Sequence, residues 1–431
     1  MATRIAAQEK MDISAALTEA AANQPTILRA EAALDAAFAR EAEAKAAYFP
    51  TIDGNVSLTH AAPQRGQKLD FEPNLPINVE VPASTENPVD IGLGFGMVVY
   101  DAGARARNLD LARLEIESTG IDINRAKVSV EYSTARAFYA LLFLRAELEV
   151  LNEQASVLVR HLDEAKAREE TGSSTHYDVL TTQVRAAAVS KQQIEIQNLY
   201  EKEKVSLAQL TNRPENFEVV GDFHPLRHAI NEESSIRSAT DSCDDLKLTI
   251  INQHQAQIES ELAAHGQWPT VTLKASAGYK NGVLTYDNSD VDKLVFCWNV
   301  GVLLDVPIFD GFRAAHKRDE FMAILSATEN REEELRRDTA SRIRMAIDDV
   351  TASRLQTENS LAQLAAAGES LAIARAQYSL GVFTNVQFLD SQTSLELAKL
   401  DNLRAIYNEV LCELTLKQAM GEDLSELIYK Q

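Results

Sequence analysis

The sequence predicts a mostly helical protein with a minority of β-strand, built from two copies of one structural unit. Three observations predict it. Two 67-residue stretches, Ala104–Glu170 and Phe312–Tyr378, contain no proline. Four runs of about ten residues alternate apolar side chains with polar or small ones, the period of a strand with two unlike faces. Segments of the second half also repeat the first at a fixed distance. Tyr100-Asp101-Ala102-Gly103 resembles Phe309-Asp310-Gly311-Phe312, and Gly172, Leu180 and Gln183 recur as Gly381, Leu389 and Gln392, each 209 positions on. A duplication of this period signals two copies of one supersecondary unit.

Each half reads helix, strand, loop, strand, long helix, glycine turn, helix. Ala15–Ala47 holds 15 alanines in 33 residues, a strong helix former that Pro25 should interrupt. The first strand, at about 50–60, places Ile52, Val56 and Leu58 on one face and Thr51, Asp53, Asn55, Ser57 and Thr59 on the other. The second, at about 90–100, alternates Ile91, Leu93, Phe95, Met97 and Val99 with Gly92, Gly94, Gly96, Val98 and Tyr100. The Tyr48-Phe49-Pro50 segment recurs as Gln267-Trp268-Pro269 at an offset of 219, so ten extra residues lie between Pro50 and Tyr100. The loop-like stretch Ala61–Pro88, with its five prolines, accommodates them. In the second half, strands at about 270–279 and 295–305 alternate in the same way, Val271, Leu273 and Tyr279 in one, Phe296, Trp298, Val300 and Val302 in the other.

A helix of 67 residues is a rod on the order of 100 Å, which must bury its apolar stripe in coiled coils with other helices of this chain or of other subunits. Both rods end at a glycine, in Gly172-Ser173-Ser174-Thr175 and Gly381-Val382-Phe383-Thr384. A left-handed glycine there closes one helix before the next begins, giving helical hairpins over about 104–213 and 312–420. Any hairpin needs such a residue, so the glycines alone do not make the tips functional. The polar run Asn231–Ser235 marks the join, dividing the chain into repeats 1–230 and 231–431.

Composition narrows the function. Lys and Arg number 42 against 64 Asp and Glu, a net charge of −22, which argues against a nucleic-acid partner. The same charge suits solubility or, if the strands line a wet lumen, a preference for cations. No run of 18 apolar residues offers a transmembrane helix, but alternating strands of a membrane β-barrel escape that test. Met1–Lys10 is polar and lacks the apolar core of a secretion signal, which fits a cytosolic chain or a mature segment separated from its signal. The strand lengths suit a tilted crossing of a bilayer, and Tyr279, Phe296 and Trp298 suit an interfacial girdle. A half-buried soluble sheet is the other reading of the same alternation. The polar and small face, rich in Thr, Ser, Asn, Lys and Gly, suits a wet lumen. Four strands cannot close a barrel, so membrane strands would require an obligate oligomer.

No catalytic constellation is present. Gly92-Leu93-Gly94-Phe95-Gly96 has Met97 where the dinucleotide fingerprint continues, and its glycines share one strand face. Gly-Lys-Ser/Thr, His-Glu-x-x-His and Gly-x-Ser-x-Gly are absent. Cys243, Cys297 and Cys412 are far apart, and the eight histidines read as surface or satisfied residues, so neither a metal nor a cofactor is expected.

The order of these motifs resembles the TolC-like outer-membrane factors, the exit ducts of Gram-negative efflux pumps and type I secretion systems. The resemblance runs from about Ile13 to Leu424 through Asn23-Gln24-Pro25, Tyr48-Phe49-Pro50, Tyr100-Asp101-Ala102-Gly103, Phe309-Asp310-Gly311, Ala376-Gln377-Tyr378-Ser379-Leu380-Gly381, Leu389-Asp390 and Leu414–Gly421. It implies a homotrimer: long antiparallel helices forming a trimeric α-helical periplasmic barrel, and a shared twelve-stranded transmembrane β-barrel in outer-membrane lipid, four strands per chain. The loops Ala61–Pro88 and Lys280–Lys293 would face the exterior. Gly172, Ser173, Gly381 and Val382 would dock a periplasmic adaptor (membrane fusion) protein, itself joined to an inner-membrane pump of RND or ABC type. Tyr378 and Asp178 match a latch, and Phe383 stands where well-studied members carry a further latch arginine. Asp390 matches one constriction carboxylate and Gln387 replaces another. Three Asp390 side chains around an axis would repel each other, favour cations and be open to block by multivalent metal ions. The implied function is passive conduction from periplasm to exterior, not enzymatic. The alternative is a soluble periplasmic coiled-coil scaffold or adaptor.

Overall fold

The computed structural model describes residues 9–60, 68–70, 78–80, 85–225, 227, 229–282, 290–422 and 424. In chain order the elements are β1 (Glu9–Met11), α1 (Ile13–Asn23), α2 (Pro25–Ala46), β2 (Thr51–Leu58), β3 (Lys68–Asp70), β4 (Asn78–Glu80), β5 (Val89–Tyr100), α3 (Ala104–Glu170), α4 (His176–Thr211), β6 (Phe217–Val219), α5 (Glu232–Ser242), α6 (Asp244–Ala264), β7 (Thr270–Lys280), β8 (Val295–Asp305), α7 (Arg313–Ser379) and α8 (Asn385–Met420). The chain is mostly helical with antiparallel sheet, as expected. Both long helices have 67 residues, and the helices that return from them, α4 and α8, have 36 each.

The alanine-rich helix is broken where proline predicts. Pro25 opens α2, where its missing N–H costs nothing, and Gln24 between the two helices is extended. Three features were not anticipated. Asn231 caps α5, so the polar run 231–235 at the join begins a helix. β1 pairs in parallel with β6, and β3 pairs with β4 inside the stretch read as loop. These strands have three residues each, too few to display a period. The remainder of the 61–88 loop before Thr85, residues 283–289 of the 280–293 loop, and Met1–Gln8 lie outside the described residues.

The chain packs as two compact units. The first comprises Met1–Ala33, Thr119–Thr249 and Asn330–Gln431, and holds all four buried apolar clusters found among the described residues. Its largest cluster joins Met11 and Leu17 to Tyr132, Phe138 and Leu141 of α3, Leu207 of α4, Phe217 of β6 and Leu414 of α8.

The second unit, Leu34–Ser118 and Ile250–Glu329, contains an antiparallel sheet in the order β2-β5-β7-β8. Its register aligns like with like across all four strands. Ile52, Phe95, Ala275 and Val300 form one row, and Val56, Ile91, Tyr279 and Phe296 another. On the opposite face Asp53, Gly94, Ser276 and Asn299 form a row, as do Asn55, Gly92, Gly278 and Cys297. A one-residue slip would exchange the faces, so the register is what converts four separate alternations into one apolar surface. That surface is exposed: Ile52 is 72% accessible, Leu58 75% and Trp298 71%. Among the described helices, none is long and apolar enough to cross a membrane.

Candidate functional site: the paired hairpin tips

Each tip is built by the same local chemistry. Gly172 takes φ +73° and Gly381 +75°, the left-handed region that L-residues with a Cβ avoid. A Cβ at either would meet nothing within 4 Å, so conformation rather than space demands glycine. The following amide closes the helix end: Ser173 N–H donates to Arg168 O at 2.8 Å, and Val382 N–H to Gln377 O at 2.9 Å. The next helix then starts on a capping box in both halves. Thr175 pairs with Asp178 at the start of α4, and Thr384 with Gln387 at the start of α8.

The boxes take up hydrogen bonds of two residues expected at the site. One Asp178 carboxylate oxygen accepts from Thr175 N at 3.1 Å, Thr175 Oγ1 at 2.8 Å and Ser174 Oγ at 3.0 Å. Burial alone would raise the pKa of Asp178, but hydrogen bonds from Thr175, Ser174 and Asn385 outweigh it and hold the carboxyl below its usual value. Gln387, expected at a constriction, accepts from Thr384 N at 2.9 Å. It is the amide counterpart of Asp178, 209 positions on.

Tyr378 lies near the end of α7 with its ring stacked on Phe388, centroids 5.1 Å apart, and near His161, 5.7 Å away. The Arg168 guanidinium sits 5.0 Å over the same ring. Burial raises the pKa of the Tyr378 phenol, with Arg168 opposing and Asp178 and Glu164 adding to the shift. Among the described residues no hydrogen bond joins the Tyr378 hydroxyl to Asp178. Asp178 is occupied by its own helix start, and Tyr378 is held by ring contacts.

The two hairpins meet through polar groups that sequence reasoning missed. His161 of α3 is buried, its Nε2 2.7 Å from Asn385 Oδ1 of α8. Asn385 Nδ2 in turn donates to Asp178 O at 3.3 Å. Gln154 of α3 bonds Glu396 of α8, and Gln392 Nε2 donates to the other Glu396 oxygen at 3.3 Å. Burial pushes the Glu396 carboxyl up to about 7. Arg185 of α4 reaches Asp390 Oδ1 of α8 at 2.6 Å. A lone Arg or Gln on a helix carries no periodic signal, and these partners are some 200 residues apart in sequence, as with Arg185 and Asp390. Gly172, Ser173, Gly381 and Val382 stay exposed, Val382 at 67% and neighbouring Leu380 at 78%.

Two capped helical hairpins and an antiparallel sheet with one exposed apolar face set the fold against which known proteins are compared. The chain belongs to the outer membrane efflux protein family, whose family model matches residues 16–213 and 236–422. It is 23% identical over 419 residues to the outer membrane protein TolC of Vibrio cholerae, covering 94% of this chain and 89% of that protein. Its fold matches the crystal structure of the outer membrane protein VceC from Vibrio cholerae with TM-score 0.74 and 18% identity, covering 95% and 96% of the two chains. It matches the Campylobacter jejuni CmeC outer membrane channel with TM-score 0.76 and 18% identity, covering 97% and 88%. The chain is an outer-membrane protein of the efflux and transport class, and the family is one of channels rather than enzymes.

Proposed function

We propose that the chain is one protomer of a homotrimeric exit duct that passively conducts substrates from the periplasm to the exterior, in an efflux pump or a type I secretion system. The observation that carries this reading is the sheet β2-β5-β7-β8. Among the described residues neither edge strand, β2 or β8, has an outer partner, and the apolar face is exposed. In hydrocarbon every backbone amide and carbonyl must be paired, so open edges are admissible only if other copies close them. Three copies, β8 of one beside β2 of the next, give twelve strands, with the apolar rows facing lipid and the Ser, Asn, Lys and Gly rows facing a wet lumen.

The helical hairpins would wall the periplasmic part of the tunnel. Repeats 1–230 and 231–431 would each supply one hairpin and two strands, a division supported by the equal helix lengths and the duplicated caps. The exposed tips at Gly172, Ser173, Gly381 and Val382 would dock the adaptor. The adaptor would be joined in turn to an inner-membrane pump of RND or ABC type. A partner that binds the dilated tips more tightly than the closed ones shifts the population toward open. Tyr378 would latch the α7 end through its ring, Asp178 would fix the start of the adjoining α4, and Asp390 and Gln387 would line the constriction.

Light scattering of the detergent-purified protein, corrected for bound detergent, tests the reading. Three chains per detergent-dependent particle are expected. A detergent-free monomer overturns it in favour of a soluble periplasmic scaffold.

A further inference from the structure

The sequence leads one to expect Asp390 as a bare carboxylate at the entrance. The structure surrounds it differently. Arg185 of α4 extends its guanidinium to three groups on one turn of α8: Asp390 Oδ1 at 2.6 Å, Thr393 Oγ1 at 2.6 Å and Leu389 O at 3.3 Å. A guanidinium offers a planar fork of donors, suited to grip a carboxylate, a hydroxyl and a carbonyl at once. The grip crosses between hairpins, since α4 follows α3 across the Gly172 tip and α8 follows α7 across the Gly381 tip. Phe383, two residues after the second tip glycine, offers no cation for the same purpose.

Two further features separate this contact from the scaffolding of the hairpins. The caps and left-handed glycines recur in both halves, but the position 209 residues on from Arg185 is Ser394, so the contact exists once per chain. The pair is also open to solvent on one side, Asp390 at 62% and Arg185 at 31%. An ion pair in that setting is weak and salt-screened, hence easily broken and remade. A permanent brace would be buried; a clasp that has to release would not.

We propose that Arg185 is the clasp of the entrance and also its charge compensator. While it holds, it ties α4 to α8 and cancels Asp390, so the constriction presents no net charge from that ring. When it releases, Asp390 is left uncompensated at the entrance, where the family resemblance places three copies of it around one axis. The inference rests on the exit-duct reading. It assigns Arg185 a positioning and selectivity role at an entrance where the sequence had pointed to Asp390 and Gln387.

Single-channel recording in planar bilayers tests it, with lanthanum(III) as the probe of the carboxylate ring. The parent, Arg185→Gln, Asp390→Asn, the double variant Arg185→Gln/Asp390→Asn and the reversal Arg185→Asp/Asp390→Arg are compared, each first matched to the parent in oligomer mass. Arg185→Gln is expected to raise conductance and to lower the lanthanum concentration for half-block by about tenfold or more, the scale on which a charged cleft concentrates counter-ions. Asp390→Asn should raise conductance without gaining the block, the double variant should lose the block, and the reversal should regain the parent's conductance. Parental conductance and lanthanum sensitivity in Arg185→Gln overturn the clasp, as does a reversal that fails to restore closure. If Arg185→Gln does not assemble, Asp390→Asn alone decides: parental conductance in it overturns the clasp. A parent that forms trimers but no channels removes the duct reading instead, and this inference with it.

Discussion

Glu396 shows how a single residue can give the tip region a pH dependence. It is 8% exposed, receives hydrogen bonds from the Gln154 and Gln392 amides, and has its pKa pushed up to about 7 by burial. The neighbouring Gln392 Oε1 is buried without a partner, an acceptor that a protonated Glu396 could satisfy. Lys399 is nearby but is paired with Glu153 at 2.6 Å. The folded state therefore holds the Glu396 proton more tightly than the unfolded chain, whose carboxyl titrates near 4.5. Stability then falls as pH rises from about 4.5 through about 7, because the folded state binds more protons across that window. Glu396→Gln should raise the Tm at pH 8 and leave it nearly unchanged at pH 4, as read by thermal unfolding in detergent. An equal Tm shift at both pH values would show that burial of the charge is not what the substitution relieves. Tyr378 yields a second prediction at this scale. Its ring, not its hydroxyl, makes the contacts, so Tyr378→Phe should keep the parent's single-channel conductance while Tyr378→Ala raises it.

At the scale of elements, the hairpin tips and the sheet are specified by different means. The tips depend on backbone conformation and caps. Gly381→Ala would force a Cβ into the left-handed region at a cost of about 1–2 kcal/mol, and Thr384→Ala would remove a cap worth about 1 kcal/mol. Hydrogen exchange should show both losses confined to the ends of α7 and α8. The sheet depends on close approach. A Cβ on Gly278 would fall 2.3 Å from Ile91 O and 2.6 Å from Gly92 Cα of the paired strand, both backbone atoms that cannot swing aside. Gly278→Ala should therefore disrupt β5–β7 pairing and abolish the detergent-resistant oligomer on a gel. Far-UV circular dichroism of the same variant should retain most of its helical signal.

For the whole molecule, the decisive feature is where apolar surface is buried and where it is exposed. The buried clusters lie in the first unit, while the sheet of the second carries Ile52, Val56, Leu58, Val300 and Val302 on an exposed face. An exposed apolar surface with two open strand edges would aggregate in water. In the proposed trimer, lipid on the face and another copy at each edge would remove both problems. A proline at Val56 of edge strand β2 removes one backbone donor and stiffens the strand. Val56→Pro should shift the light-scattering mass from three chains toward one with the helical content preserved. An unchanged trimer would place the interface away from β2.

The sequence by itself determined the elements and their repetition. Proline-free stretches, alternating strands and glycine–threonine tips are local patterns, and local backbone preferences suffice to read them: α3 begins at Ala104 and ends at Glu170 as the pattern requires. The class of the protein was legible for the same reason, since the order and spacing of such patterns define its family. Three-residue strands were not legible, because two or three positions cannot show a period. Only the tertiary structure decided what the site residues touch. Asp178 and Gln387 bond at helix starts, Tyr378 stacks through its ring, and Asp390 pairs with Arg185, 205 positions away. Such contacts depend on how helices distant in the chain are juxtaposed, and a side chain's partner across a helix interface leaves no trace in the local pattern around it.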